Sequence, residues 1–135
     1  MAKITVNPLF LKDVVMSLGS DSYEQALNQV TFTPSASQQT FTGLDGTTFT
    51  DSSPATWTCQ IGYVQDWETV NSLAQYLLEH EGDTVAATFK PRSGSGPSFT
   101  STLTITPGAI GGQVGQAATT TVTLGCTKPV LVPAA

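Results

Sequence analysis

The sequence predicts a mainly β protein, an antiparallel β-sandwich or barrel with one α-helix packed on its side. Three observations carry this prediction. Several segments alternate apolar and polar residues with the period of two that is typical of half-buried strands. One segment places its apolar residues at helical spacing instead. Glycine, proline and Asp-Gly turn signals separate these segments at short intervals, and a chain of 135 residues is the size of a single domain.

The first third of the chain is predicted to hold an extended arm and two strands. Pro8 disfavours a helix at the start, because the residue before a proline avoids helical backbone angles. Ala26, Val30 and Phe32 share one face of a strand that Pro34 is expected to close. The predicted elements are an arm at 1–11, a strand at 12–18, a turn at 19–22 and a strand at 23–33.

Residues 35–54 form a predominantly polar segment. Its large apolar residues are Phe41, Leu44 and Phe49. The Asp45-Gly46 pair is a strong signal for a hairpin turn in which both central residues have positive φ. Polar segments of this length are uncommon inside a compact domain and are usually functional or disordered. We therefore predict a long, projecting hairpin or loop.

The clearest strand and the predicted helix follow this segment. In the strand at 55–65, the predicted core face carries Trp57, Cys59, Ile61 and Tyr63. The apolar stripe of the predicted helix consists of Val70, Leu73, Ala74, Leu77 and Leu78. Asp66 or Thr69 is predicted to cap the start of the helix, and Gly82 to end it in a left-handed conformation.

The last third of the chain is predicted to return to strands. Val85, Ala87 and Phe89 face the core in the first of them. The glycine-rich segment at 107–115 lacks the Lys and Ser/Thr of a phosphate-binding loop, so we interpret it as bulged or tightly packed backbone. The predicted elements are strands at 83–90, 98–106 and 117–126, a flexible turn at 91–97 and a proline-flanked tail at 128–135.

Charged residues make up only 11% of the chain, and the formal net charge is −5. An ordinary soluble domain carries roughly 25% charged residues. A chain with so little charge either covers its surface with neutral hydroxyls and amides or packs against other copies of itself. The negative net charge argues against a protein that binds nucleic acid through its phosphates, because such binding needs clustered lysine and arginine residues. The absence of a secretory signal or a membrane-length apolar run predicts assembly in the cytoplasm.

The chain carries no recognisable catalytic or metal-binding pattern. His80 is the single histidine, and its position near the predicted helix end indicates a capping or surface role. Cys59 and Cys126 are interpreted as small buried strand residues, with a disulfide as the alternative in an oxidising compartment. The HExxH, CxxC and GxSxG motifs do not occur. We therefore expect neither an enzyme nor a cofactor site.

Acidic residues crowd the predicted C-terminal end of the helix. Glu79, Glu81 and Asp83 stand where the helix dipole favours cations. We hypothesise that this acidic end meets Lys90 or Arg92 of a neighbouring copy. The alternative is a mildly unfavourable cluster that the fold tolerates.

A resemblance to a known protein family rests on four segments of the chain. In order along the sequence they are NPLFLKDV at 7–14, ATWTCQIGYVQDWETVNSLAQYLLEHEGDTV at 55–85, PSFTSTLTITPGAIGG at 97–112 and TTTVTLG at 119–125. Together they resemble the major tail (tail tube) proteins of long non-contractile-tailed bacteriophages, the siphoviruses, particularly those of actinobacterial hosts. The resemblance implies β-sandwich subunits with one flanking helix. It also implies hexameric rings, whose stacking forms a tube through which genomic DNA passes.

The resemblance further implies roles for three segments. The loop at 35–54 matches the loop that reaches the next ring, and the segments at 1–11 and 128–135 match the terminal arms. We expect a non-enzymatic virion protein without cofactors, whose partners are its own copies, a tape-measure protein, and tail terminator and distal tail proteins. DNA is expected to pass through the lumen without specific binding.

The residues expected at interfaces between copies are Phe41, Leu44, Asp45, Phe49, Asp51, Glu79, Glu81, Lys90 and Arg92. The alternative function is that of a carbohydrate-binding β-sandwich, with an exposed Trp57 or Trp67 as a stacking platform.

Overall fold

The computed structural model of the protein describes residues 3–6, 8–11, 14–92 and 96–133. Within these residues the fold is mainly β, with antiparallel strands and one helix, as predicted. The elements in chain order are β1 (Val15–Leu18), β2 (Asp21–Ser22), β3 (Leu27–Ser35), β4 (Gln38–Thr42), β5 (Thr48–Ser52), β6 (Thr56–Val64), α1 (Leu73–Glu79), β7 (Thr84–Lys90), β8 (Ser98–Thr104), β9 (Thr119–Cys126) and β10 (Val130–Val132).

The main sheet runs in the order β2-β1-β7-β8-β9-β6-β3, and β4 and β5 form a separate two-stranded sheet. Strand β9 pairs with β6 from Thr119 to Cys126, and it meets β8 at Gly125 and Cys126. The chain then continues along the same edge of β8 as β10. The main sheet therefore divides into two half-sheets, β3-β6-β9 and β8-β7-β1-β2, joined where the chain passes from β9 to β10.

The core lies between the two half-sheets and the helix. In β6, Cys59, Ile61 and Tyr63 are buried on one face, which confirms the predicted period of two. Ala87 and Phe89 of β7 are buried as predicted. The buried apolar side chains are Met16, Leu18, Tyr23, Cys59, Ile61, Tyr63, Leu73, Ala74, Leu77, Ala87, Phe89, Leu103, Ile105, Val122 and Leu124.

The helix is shorter than its apolar stripe predicted. Ser72 is the N-cap, and its hydroxyl accepts a hydrogen bond from the Gln75 backbone N–H at 3.5 Å. Asn71 has a φ of 65°, which a continuing right-handed helix excludes. Val70 therefore lies outside the helix and is 79% exposed. The predicted membership of Val70 in the helix is wrong, whereas Leu78 lies in the helix but is exposed.

The predicted helix cap at Asp66 or Thr69 is also wrong. The Asp66 carboxylate accepts hydrogen bonds from the backbone N–H groups of Glu68 and Thr69, at 3.1 and 3.2 Å. It closes a turn that precedes the helix. Hydrogen bonding from the Thr69 side chain, and then from the backbone N–H groups of Thr69 and Glu68, lowers the pKa of Asp66. The predicted end of the helix is closer to the structure, because His80 is the C-cap and Gly82 has a φ of 86°.

The strands predicted at 12–18 and 23–33 differ most from the structure, whereas the later strands differ by one or two residues at an end. The strand predicted at 23–33 begins at Leu27 and runs through Pro34, which lies opposite Trp57 of β6. Proline is tolerated there because β3 is the last strand of the sheet order, so its missing N–H can lie on the unpaired side. In the strand predicted at 12–18, β1 begins at Val15, while positions 12 and 13 lie outside the described residues.

The chain ends and the turn at 91–97 are described in part. The tail predicted at 128–135 is partly a strand, because β10 pairs with β8, with Leu131 opposite Phe99. The described part of the arm at 1–11 has no regular secondary structure. Positions 1, 2, 7, 93–95, 134 and 135 of the predicted arm, turn and tail lie outside the described residues.

Candidate self-association surfaces

Most of the segment at 35–54 forms a β-hairpin, whereas Ser35 is the last residue of β3. Strands β4 and β5 pair in antiparallel register from Gln38 opposite Ser52 to Thr42 opposite Thr48. Every residue of both strands is exposed. At the root, the Ser53 backbone N–H donates to the Ser37 carbonyl oxygen at 2.9 Å. The hairpin thus extends the β3–β6 pair outward as a separate two-stranded sheet.

The turn of the hairpin is longer than the Asp-Gly signal predicted. The Gly43 N–H donates to the Thr47 carbonyl at 2.7 Å, and the Gly46 N–H donates to the Gly43 carbonyl at 3.0 Å. Gly46 has a φ of 89°, whereas Asp45 does not have positive φ, so the predicted two-residue turn is wrong. A turn followed by one left-handed glycine is the common geometry of three-residue hairpin loops.

Asp45 stabilises this turn with its side chain. Its Oδ1 atom accepts a hydrogen bond from the Thr47 backbone N–H at 3.0 Å. This bond favours the ionised carboxylate and lowers the pKa of Asp45. Asp51 makes a similar local bond, because its Oδ1 accepts from the Ser52 N–H at 3.0 Å. The hairpin therefore presents two carboxylates, each bonded to its own backbone.

The hairpin also exposes large apolar side chains. Phe41 and Phe49 are 67% and 63% exposed, and Leu44 at the tip is fully exposed. A two-stranded hairpin is marginally stable alone in water. An apolar surface on such a hairpin is typical of a site that another protein surface covers. Five of the nine interface residues expected from the sequence lie on this hairpin, and the structure brings them together.

The remaining four expected interface residues lie at opposite ends of the fold. Glu79 and Glu81 are exposed at the end of α1, just before β7 begins. Lys90 and Arg92 lie at and beyond the last residue of β7. Seven strand residues span roughly 23 Å at the rise of about 3.3 Å per residue. Pairing between these acidic and basic residues therefore requires a second copy.

Arg92 has a role that the sequence did not indicate. Its guanidinium donates to the backbone carbonyls of Pro8, at 3.3 Å, and Phe10, at 3.5 Å. These bonds hold the N-terminal arm against the end of β7. The two partners are more than eighty positions away in the sequence, so no local pattern could have pointed to them.

An apolar cleft of about 420 Å³ opens between the two half-sheets at this end of the fold. Its described lining residues are Leu9, Leu11, Val30, Thr31, Phe32, Trp57, Phe89, Phe99, Lys128, Pro129 and Leu131. The rings of Phe32 and Phe89 lie 5.9 Å apart across it. Trp57, predicted as a core residue, is a half-buried wall of the cleft. Among the described lining residues, Lys128 carries the only charge.

The two tryptophans differ as stacking platforms. Trp67 packs against the core, and its Nε1–H donates to the Gln65 side-chain oxygen at 3.2 Å. The same oxygen accepts from the Gly111 backbone N–H at 3.0 Å, which ties the glycine-rich segment to Gln65. Trp57 is therefore the tryptophan whose surroundings are open to a ligand.

His80 and the cysteines occupy structural positions. His80 stacks on Tyr76 with ring centroids 4.3 Å apart, and its Nδ1 lies 3.1 Å from the Tyr76 carbonyl oxygen. Cys59 and Cys126 are free thiols, and burial raises the pKa of Cys59 to about 12. Within the described ranges, no group of three or more His, Cys, Asp or Glu residues is arranged to hold a metal ion.

The described part of the chain contains no helix with the length and apolar character needed to cross a bilayer. Neither a protein-family model nor a curated protein matches this sequence. The fold and the surfaces described above are therefore the features that bear on its function.

Proposed function

We propose that the protein is a structural subunit of a siphovirus tail tube, which assembles into stacked hexameric rings and conducts DNA during ejection. The observation that carries this proposal is the hairpin with its exposed Phe41, Leu44 and Phe49. Such a surface on a chain with 11% charged residues favours association between identical copies.

The ends of the sheet order support ring formation. The two edge strands of the main sheet are β2, which has two residues, and β3, which has nine. Unpaired strand edges are an aggregation hazard in a monomer, and closure of strands around a ring removes them. The edge at β3 is therefore the surface that would pair with a neighbouring copy within the ring.

The distribution of charge supports head-to-tail stacking. Glu79 and Glu81 lie at the helix end of the fold, and Lys90 and Arg92 lie at the cleft end. Copies stacked in the same orientation bring these opposite ends together, as a heterologous contact requires. Complementary charge sets register and association rate more than affinity. The acidic balance of the chain also suits a lumen through which DNA slides without binding.

The resemblance of the ordered sequence segments to siphovirus tail tube proteins supplies the remaining parts of the proposal. In this reading the protein resides in the virion tail and is assembled in the host cytoplasm. Its partners are a tape-measure protein, a tail terminator and distal tail proteins. It binds no cofactor and catalyses no reaction.

The cleft beside Trp57 is the feature that favours the alternative, a carbohydrate-binding module. Sugar recognition also needs several polar groups that converge on the ligand. Among the described residues of the cleft, the polar side chains are Thr31 and Lys128. This lining fits an apolar occupant better than a sugar, and we place the alternative second.

Negative-stain electron microscopy and light scattering of the purified protein, over a series of concentrations, test the proposal. We expect rings at moderate concentration and tubes at high concentration, with a mass near six subunits for the ring. A protein that stays monomeric at all concentrations and binds a sugar would overturn the tail tube assignment and support the alternative.

A further inference from the structure

The hairpin and the apolar cleft lie at the same end of the fold. Pro34, near the end of β3, lies opposite Trp57, and β3 leads directly into the hairpin. Trp57 is also a wall of the cleft, together with Phe89 near the end of β7. The helix and its acidic residues lie at the other end, where Gly82 bonds to Ile105.

The cleft and the hairpin complement each other in polarity. The rim of the cleft leaves Leu9, Leu11 and Leu131 more than half exposed, so its apolar surface is incompletely covered within one copy. The hairpin offers the exposed apolar side chains of Phe41, Leu44 and Phe49, which match the apolar lining of the cleft in polarity.

The two surfaces also complement each other in charge. Lys128 lines the cleft, and Arg92 lies beside it, where it holds the N-terminal arm. The segment at 35–54 contains Asp45 and Asp51 and has no lysine or arginine. A hairpin that enters the cleft brings carboxylates towards cations, which favours the contact.

The opposite end of the fold would receive the same hairpin poorly. Glu79, Glu81 and Asp83 lie there, and they would face the carboxylates of Asp45 and Asp51. Copies stacked head to tail present opposite ends to each other, so a hairpin that joined successive rings would meet these like charges. Copies related by rotation within a ring keep the same ends at one level.

We propose that the apolar tip of the hairpin occupies the cleft of the neighbouring copy in the same ring, so that the hairpin closes rings. This inference rests on the proposed self-assembly, and it differs from the role in the next ring that the resemblance implies for 35–54. The occupant is a second copy of this chain, and the contact is heterologous, hairpin to cleft around the circle.

The test uses one variant on each side of the contact. Leu44→Asp places a charge on the exposed tip, and Leu131→Asp places one on the rim of the cleft. Thr50→Asp is the matched control, because Thr50 neighbours Phe49 and so points to the opposite face of the hairpin. Masses are measured by light scattering, and circular dichroism verifies that each variant is folded.

We expect Leu44→Asp and Leu131→Asp each to raise the concentration needed for rings by roughly tenfold or more, as loss of a central apolar contact does. Thr50→Asp should form rings like the natural protein. An equimolar mixture of the two defective variants retains one intact hairpin-to-cleft contact per pair, so it should form heterodimers that do not close into rings.

If Leu44→Asp formed single rings at the concentration at which the natural protein forms them, the inference about the hairpin would be overturned. The proposed tail tube function would be unaffected by that result. If the natural protein assembled only into a dimer with two-fold symmetry, the inference that the hairpin closes rings would also be overturned. A natural protein that never associates would overturn the proposed function itself, so the two failures are distinguishable.

Discussion

Phe41 and Phe49 face each other across the hairpin, with ring centroids 6.4 Å apart and an interplanar angle of 32°. The pair holds β4 to β5 by a cross-strand contact, a type of contact that contributes roughly 0.2–1 kcal/mol. Both rings remain about two-thirds exposed, so the hairpin gains little from burial within one copy. Its order in the free subunit therefore depends on local contacts alone.

The first prediction concerns the dynamics of this hairpin. In the free subunit, the backbone amides of β4 and β5 should exchange with deuterium much faster than those of β6, because regions with few buried contacts open at low free energy. Assembly should slow exchange in the hairpin by roughly tenfold or more. Strand β9, which pairs with β6 along its whole length, serves as the internal reference, and exchange in a free hairpin as slow as in β6 would contradict this account.

The second prediction concerns the acidic end of the fold. Replacing Glu79 and Glu81 with lysine should leave folded rings that stack poorly, since like charges then meet Lys90 and Arg92 of the next ring. Exposed ion pairs contribute about 0.2–1 kcal/mol each, so the stacking concentration should rise by a few-fold. Adding salt should weaken stacking of the natural protein in the same direction.

Glu68→Lys is the control for that experiment, because Glu68 is also exposed at this end but lies before the helix. Tube lengths are measured by negative-stain microscopy at low and high salt. Tubes of normal length from the doubly reversed variant would show that the acidic end is only a tolerated cluster.

The third prediction concerns packing against Tyr63. A Cβ atom added at Gly108 would lie 2.5 Å from the Tyr63 hydroxyl oxygen and 3.1 Å from the Thr120 Cγ2 atom. Tyr63 is buried and cannot move away freely. Gly108→Ala should therefore lower the free energy of unfolding by about 1–3 kcal/mol, the usual range for overpacking.

Chemical denaturation measures that effect, and Gly125→Ala is the matched control. No heavy atom lies within 4 Å of a Cβ added at Gly125, which is in β9. This substitution should leave stability unchanged or raise it slightly, because alanine loses less backbone freedom on folding than glycine. Equal destabilisation by both variants would argue against close packing at Gly108.

The fourth prediction concerns the response of the hairpin turn to acid. The pKa of Asp45 is lowered from its ordinary value of 3.8 by the hydrogen bond from the Thr47 backbone. Because the folded pKa lies below the unfolded one, the carboxylate stabilises the turn at neutral pH. That contribution is lost as the pH falls through the lowered pKa.

The chemical shift of the Thr47 amide proton should report this titration, with a midpoint below 3.8. Asp45→Ala should abolish the transition and loosen the turn at neutral pH. A midpoint at or above 3.8, or an unchanged transition in Asp45→Ala, would show that the carboxylate does not hold the turn.

The sequence predicted those parts of the fold that depend on local periodicity. The alternation in β6 identified the buried side chains Cys59, Ile61 and Tyr63, since a strand with one face on the core places its apolar side chains on that face. The Asp45-Gly46 pair located the hairpin, because it marks a tight turn between two strands, although the turn has three residues and not two.

The parts that could not be predicted depend on contacts between distant segments. The start of α1 was misplaced because Asn71 adopts a left-handed conformation, which the apolar spacing of Val70 and Leu73 does not reveal. The cleft was missed because the alternation in β6 places Trp57 on the inward face of the strand. That pattern does not reveal whether the opposite half-sheet covers the Trp57 side chain. Strand β10 was missed because a three-residue strand carries too little periodicity.

Thr127 lies where the chain leaves β9, which pairs with β6, and approaches β10, which pairs with β8. Its backbone N–H donates to the Thr102 carbonyl, and its carbonyl accepts from the Ser101 hydroxyl at 2.8 Å. A pull on the C-terminal end of the chain therefore loads the β10–β8 hydrogen bonds first and reaches the β9–β6 bonds only after Thr127 is released. Because the two layers are loaded one after the other, the bonds at Thr127 would decide how much tension reaches the β3-β6-β9 layer.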